Sequence, residues 1–509
     1  MTHAVELIPI GLVYGVIFRG KPLYSERDPL RQVRKALPMW RSHTLYFVPS
    51  PLLGYGLVES LAILPASSLV MVVELEPDLA QLHTRWLSPT SIIESIDSLD
   101  PWVLESQLAR HQDKALSKVE RVVLNGGYLL HQQAYQQLET VLCQLVAQQV
   151  KNQALLAVMA PKWLTNIMSN VAFLPQHAGL LPRVSLPIVV AGAGLSLEEH
   201  RDTLYQNRSS FFLLAVDTAL PALRAYGLTP DLVLALEGGF YNIYDFLGNS
   251  TQMPPIAVDM LAHRQTPRVC GAHCFFVTTH FASCQLLIRL QQTFSLSQLP
   301  AVGSVGPAAV ALALQMTQHM VILCGLDFAY ELGKTHARGS YTHSYQLAYW
   351  QRFSGIPLID KTLERPLVQA VNREGDGLLS DTVLLTYAGA LKQANSLRLR
   401  VLPSLTSVNL GIPVVEWSQL TSPKLSVLPP PSTIINHAQV RAFIEQELAF
   451  LAQGAIGDEQ AWSLIDYVLL GLPYEVQQQR EAHPLVQQRI DYYQKQWQYS
   501  LAELVKQEQ

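Results

Sequence analysis

The densest chemistry in this 509-residue chain falls in one short polar stretch, Gly333-Lys334-Thr335-His336-Ala337-Arg338-Gly339-Ser340-Tyr341-Thr342-His343-Ser344-Tyr345. A lysine, an arginine, two histidines and two tyrosines gathered there can neutralise a phosphate leaving group and take a proton from a hydroxyl, as long as they lie within hydrogen-bond reach of the reacting atoms. Asp327 stands just upstream, after the apolar run Met320 to Cys324. A solvated surface loop has the same composition, so these residues carry a function only where a fold holds them over a ligand.

Two glycine turns offer that ligand a cradle. Ile188-Val189-Val190-Ala191-Gly192-Ala193-Gly194-Leu195-Ser196 reads as a buried strand, a tight turn and a helix start. Glycine allows close backbone approach there, Ser196 is a natural cap, and a helix start draws phosphate through its free N–H groups and dipole. Val302-Gly303-Ser304-Val305-Gly306-Pro307 opens a second helix in the same way. Asp217-Thr218 and Glu237 close two further strands, where an acid can accept hydrogen bonds from a ribose. Asp217 reads equally well as a helix cap.

Two patterns invite other chemistry. Cys270, His273, Cys274, His280 and Cys284 mix sulfur and imidazole, but no paired zinc spacing is present, and Phe275-Phe276-Val277 between them reads as a strand that points alternate residues to opposite faces. No metal site is expected. Near the amino terminus Gly54 and Gly56, followed by Glu74 and Glu76 after the next strand, resemble the adenosyl-binding half of a methyltransferase. A Rossmann fold without that activity reads the same.

Positioning these residues requires a parallel sheet. The continuous apolar runs Ile188 to Ala191, Phe211 to Val216, Leu232 to Leu236, Phe275 to Thr278 and Val321 to Cys324 suit strands covered on both faces. Before them, Thr44 to Pro49, Val58 to Leu64 and Ser68 to Glu74 alternate in βαβ fashion, and Ile8 to Phe18 reads as a strand pair and not a signal peptide. Thr421 to Ser432, with four prolines, reads as an extended linker. Beyond it Asn436 and Gln439 form a capping-box pattern, Pro484 suits a first helical position, and Ile490, Tyr493, Trp497, Leu501 and Leu504 share one helical face. That face packs on the core or on a second subunit, so a homo-oligomer through these helices is one outcome. The expected organisation is α/β, with a smaller Rossmann-like α/β domain over 1–180, a Rossmann-like central domain over 183–413 and a helical region over 433–509.

Composition narrows the function. A net charge of −4 offers no basic stripe for nucleic acid, and five cysteines suit a reducing compartment. No run reaches the ~18 to 20 apolar residues of a membrane span. A cytoplasmic protein is expected.

Ala191-Gly192-Ala193-Gly194-Leu195-Ser196-Leu197, Ala215-Val216-Asp217-Thr218, Gly227-Leu228-Thr229-Pro230-Asp231, Val302-Gly303-Ser304-Val305-Gly306 and Cys324-Gly325-Leu326-Asp327-Phe328 resemble, in order and spacing over 183–413, the core of the motility-associated factor (Maf) family. These are flagellin glycosyltransferases, distantly similar to bacterial sialyltransferases and to 6-hydroxymethylpterin pyrophosphokinases. Tyr24 to Leu30 and Leu53 to Leu57 resemble that family's amino-terminal domain. The resemblance implies inverting transfer of a sialic-acid-like nonulosonic sugar from its CMP-activated form to serine or threonine of flagellin, with the nucleotide sugar as donor substrate and no cofactor required. It implies that Gly192, Gly194, Ser196, Gly303 and Ser304 hold the phosphate, that Asp217, Thr218 and Glu237 meet the nucleoside, that His336 or Asp327 is the base, and that Tyr341 and Tyr345 donate to the departing phosphate. Leu195 stands where the family has proline and Glu237 where it has aspartate. Two other readings remain: a pterin pyrophosphokinase using ATP and Mg²⁺, and a non-catalytic flagellar assembly protein.

Overall fold

The computed structural model describes residues 5–83, 92–94, 101–111, 114–176, 181, 183–247, 253–270, 274–282, 284–331, 333–348, 366–393, 396–417 and 435–508. The proline-bearing linker expected at Thr421 to Ser432 lies outside them, as does His273. The chain divides into two compact units, Met1–Ala160 with Leu469–Val486, and Pro161–Val468 with Gln487–Gln509.

In the first unit β1 (Glu6–Ile10), β2 (Val13–Phe18) and β3 (Lys21–Pro22) form an antiparallel sheet, the strand pair read from the sequence. A second, parallel sheet has the order β6-β5-β4-β7, built from β4 (Thr44–Pro49), β5 (Leu69–Val73), β6 (Ile92–Glu94) and β7 (Lys118–Arg121). Every residue of β4 and β5 is buried, as expected of parallel strands covered on both sides. Core residues divide between the two faces by the alternation of the strand: Tyr46 and Val48 join one hydrophobic cluster, Leu45 and Phe47 the other.

The second unit carries an eight-stranded sheet, all of its pairings parallel, in the order β13-β12-β11-β10-β9-β8-β14-β17. Its strands are β8 (Ile188–Ala191), β9 (Phe212–Val216), β10 (Leu232–Ala235), β11 (Ile256–Asp259), β12 (Cys274–Thr279), β13 (Ser297–Leu299), β14 (Val321–Cys324) and β17 (Leu399–Val401). This is the Rossmann-like α/β fold expected from the apolar runs. β8 sits between β9 and β14, so the chain leaves the two in opposite directions, and a crevice opens at their carboxyl ends. An antiparallel pair, β15 (Leu367–Val371) and β16 (Gly377–Asp381), follows β14.

Helices complete this unit. Asn166 and Asn170, on the helix Gln132–Val171, donate to the carbonyls of Gly238 and Leu261 and of Met260 and Ala262, so two buried amides satisfy the turns that follow β10 and β11. The capping box at Asn436 and Gln439 opens the helix His437–Ala455, whose fully buried Glu447 takes a two-point ion pair from Arg289. The last helix begins at Pro484 and buries Ile490, Tyr493, Trp497 and Leu504, while the Ser500 hydroxyl donates to the Met168 carbonyl. The face offered for self-association is covered by its own chain.

Candidate functional site

A cavity of about 340 Å³ opens at the carboxyl ends of β8, β9 and β14, at the reversal of strand order. Its floor is the turn Gly192 to Gly194 after β8 and the segment Gly325 to Tyr330 after β14. Thr218 closes one side, Ser304 to Gly306 another, and Thr335, His336 and Thr342 the third, with Asp381 beside them. The two glycine turns therefore meet at one place.

The turn after β8 is held by backbone contact. A Cβ on Gly192 would lie 2.3 Å from the Gly325 carbonyl oxygen, and one on Gly325 would lie 2.2 Å from that of Gly192. The Gly192 and Gly194 amides donate to the Cys324 and Gly325 carbonyls at 2.8 Å each. Ser196 does not cap the short helix Ser196–Glu199, whose N-cap is Leu195. Its amide and hydroxyl donate to the two oxygens of Asp327 at 2.8 and 2.5 Å, and the Gly325 amide donates to its hydroxyl oxygen at 2.9 Å. The amides of Gly192, Gly194 and Ser196 are thus committed inside the protein. The phosphate role expected of Gly192, Gly194 and Ser196 is replaced here by close packing of two strand ends, the other use of glycine at such a turn.

Free donors come from the second turn. Ser304 is the N-cap of the twelve-residue helix Val305–Met316 and makes no side-chain bond to its first turn. Val305 and Gly306 line the cavity at the positive end of that helix, where unspent amides and the dipole favour an anion. Gly303 takes a φ of 73°, which turns the chain into this start, but does not itself line the cavity.

Asp327 is buried and accepts from Ser196 and from the Ser407 hydroxyl at 2.5 Å. Burial raises its pKa against these bonds. With its oxygens so engaged, Asp327 anchors the turn and is a poor base. His336 lines the cavity with Nδ1 2.9 Å from the Thr335 hydroxyl; burial, with His343 nearby, pushes its pKa down to about 4. At neutral pH the imidazole is uncharged, and its low pKa lets it take a proton only from a strongly acidic donor, such as a hydroxyl oxygen in the act of forming a new bond.

Other sequence candidates fall outside the wall. Asp217 is buried and bound by the Thr218 amide and the Asn242 side chain; burial raises its pKa to about 6. Glu237 accepts from the Gly239 amide at 2.9 Å. Neither lines the cavity, whereas Thr218 does. Tyr341 and Tyr345 share a face of the helix Tyr341–Ala348 one turn apart, and Tyr341 stacks on Tyr244 with centroids 5.0 Å apart; Thr342, on another face, reaches the cavity. At Leu195, where the resemblance expects proline, φ is −65°, an angle that proline also adopts. Asp381 was missed by sequence reasoning, although Ser380-Asp381-Thr382 before an apolar run is a helix-start signal; its Oδ1 accepts from the Val383 and Leu384 amides.

In the first unit the corresponding crevice is filled from within. The Ser50 hydroxyl, after β4, donates to Glu74 at 2.7 Å, Tyr135 donates to the other Glu74 oxygen, and the Asn125 side chain donates to the Ser50 carbonyl. Glu74, one of the two acids of the adenosyl-binding resemblance, is thus spent on internal partners.

Residues 163–333 match a family model described as 6-hydroxymethylpterin diphosphokinase MptE-like. A curated protein of Treponema pallidum (strain Nichols), described as an uncharacterized protein, is 27% identical over 344 residues, 64% of this chain and 59% of that protein. The chain therefore spans less than two thirds of that relative's length. A solved structure described as MAf glycosyltransferase from Magnetospirillum magneticum AMB-1 covers 99% of this chain and 91% of its own at a TM-score of 0.58 and 15% identity, a likeness of fold. The resemblance drawn from the motifs, a Maf-like chain with an MptE-like core, is the one that both comparisons return.

Proposed function

We propose that this chain is a glycosyltransferase that moves a nonulosonic sugar from a CMP-activated donor to serine or threonine hydroxyls of flagellin in the cytoplasm. The observation that carries the reading is the cavity at the reversal of strand order, where the start of the helix Val305–Met316 meets the His336 loop. Apart from His336, uncharged at neutral pH, the acidic and basic side chains of its described wall are Asp327 and Asp381. Amide dipoles and hydroxyls opposite two carboxylates suit a phosphodiester with one negative charge better than a bare polyphosphate.

In the transfer the acceptor hydroxyl oxygen attacks the anomeric carbon, the bond from that carbon to the phosphate oxygen breaks, and CMP leaves with the bonding pair. The first-turn amides of Val305 and Gly306 and the Ser304 and Thr218 hydroxyls hold the developing charge on the phosphate. His336 takes the acceptor proton. Asp327 acts through the turn that it holds, and Asp217 supports the wall by accepting from the Thr218 amide.

A second reading has its own support, the pterin diphosphokinase-like model over 163–333. There Asp327 and Asp381 would attract Mg²⁺ with ATP. Calorimetric titration separates the two: CMP binding without a metal supports the transferase, and ATP binding only with Mg²⁺ supports the kinase. A chain that binds neither is a scaffold. Intact-mass measurement of flagellin from a strain lacking this chain then tests the acceptor; a mass equal to wild type removes flagellin from the proposal.

A further inference from the structure

The loop that brings His336 to the cavity is gripped by one acid that does not line it. Glu198 lies on the short helix Ser196–Glu199, directly after the turn that forms the cavity floor. Its Oε1 accepts from the Lys334 ammonium at 2.8 Å and from the Arg338 amide at 2.5 Å, two residues before and two residues after His336. Its Oε2 stands 3.8 Å from the Arg338 guanidinium. Burial works to raise the pKa of this carboxyl, but Lys334 and Arg338 outweigh it and hold the group below the usual range, so it is charged at neutral pH.

Other bonds hold the same loop without charge: the Ala337 amide donates to the Ala193 carbonyl, the Tyr226 hydroxyl to the Arg338 carbonyl, and the Glu331 and Lys334 backbones pair with each other. The first two fix the far end of the loop, and the last closes the near end on itself. Glu198 alone among these contacts spans both flanks of His336, and it ties Lys334 down outside the cavity wall. From this geometry we propose that Glu198 is a positioning residue, a clasp that sets the His336 imidazole over the turn Gly192 to Gly194 and so couples the floor of the site to its proton acceptor. The proposal rests on the nucleotide-sugar reading in naming His336 the proton acceptor and in taking CMP as a probe.

The test uses the full-length chain with isotope-labelled histidine, the His336 resonance being assigned by its loss in His336→Gln. Glu198→Ala is expected to shift or broaden that resonance and to weaken CMP binding by about tenfold, since misplacing one active-site group typically costs that much or more. Glu198→Gln keeps a carbonyl acceptor and is expected to fall between wild type and Glu198→Ala. Glu199→Ala, which removes a carboxylate of the same short helix and its bond from Thr406 but touches neither flank of His336, serves as the control with His336 unmoved. A His336 resonance identical to wild type in both Glu198 variants overturns the proposal, as does tighter CMP binding, which would make Glu198 a restraint on Lys334 and not a clasp for His336. If the wild type binds no CMP, the nucleotide reading fails while the His336 resonance still decides the role of Glu198.

Discussion

The two units solve the same topological problem in opposite ways. Each has a parallel sheet in which the first strand lies beside a reversal of order, β4 between β5 and β7, and β8 between β9 and β14. After β4 the chain places Ser50 at a φ of 49°, and its hydroxyl, with Glu74, Asn125 and Tyr135, fills the crevice with a closed set of hydrogen bonds. After β8 it places Gly192, whose missing side chain lets two strand ends touch and leaves the space above them to a cavity. Topology provides a crevice in both, and the residue that follows the first strand decides whether side chains bond across it or a cavity remains.

That contrast makes the glycines unequal. Gly192→Ala is expected to be the most damaging substitution, at about 3 kcal/mol or more, because its Cβ meets backbone 2.3 Å away. Gly127→Ala in the first unit should cost less, about 2 kcal/mol, since the Ser50 hydroxyl and Cβ and the Asn125 Oδ1 that it meets belong to side chains and not to backbone, although the hydroxyl can move only by giving up its bond to Glu74. Urea unfolding compares the two; equal losses would dissolve the distinction between a backbone contact and a filled crevice.

The buried acids sharpen it further. Asp245, beside Asp217, has its pKa raised to about 7 by burial first and by Asp217 second. Because the folded protein holds this proton more tightly than the unfolded chain does, the associated stability is complete at acid pH and is lost as pH rises from about 4 through about 7. Asp245→Asn removes the titration, so it should melt higher than wild type at pH 8, by on the order of 5 °C, with the gap closing toward pH 5. A constant gap at both pH values would show that Asp245 carries no such proton. The smallest effect is expected in the first unit: Glu74→Gln should lower the melting temperature yet leave CMP affinity within about twofold, and a larger loss of binding would mean that the filled crevice takes part in the site.

Much of this was legible in the residues. The runs at Ile188, Phe211, Leu232, Phe275 and Val321 became strands, because continuous burial on two faces leaves an unbroken apolar signature. β13 and β17, three residues each and partly exposed, leave no such mark. The meeting of the two glycine turns was also foreseeable, since both follow or precede strands of one parallel sheet. What stayed hidden was the fate of individual hydrogen bonds. The sequence cannot tell that the Gly194 amide faces Gly325 and not a ligand, or that Ser196 ties down Asp327, because those pairs lie about 130 positions apart and are set by tertiary register. The helical phase that takes Tyr341 away from the cavity and Thr342 toward it depends on where the helix begins, the least legible feature of any sequence.

In the proposed site, the amides at the start of the helix Val305–Met316 hold the nucleotide phosphate. Val305 is the first helical residue after Ser304, whose extended φ and ψ of −145° and 147° suit the position before a proline, so Val305→Pro deletes one N–H while preserving the helix. Calorimetric titration of CMP into both proteins should show binding to wild type and about tenfold weaker binding to Val305→Pro at unchanged melting temperature, the loss of one charge-assisted hydrogen bond. Equal affinity in the two proteins, or no CMP binding to wild type, would contradict it.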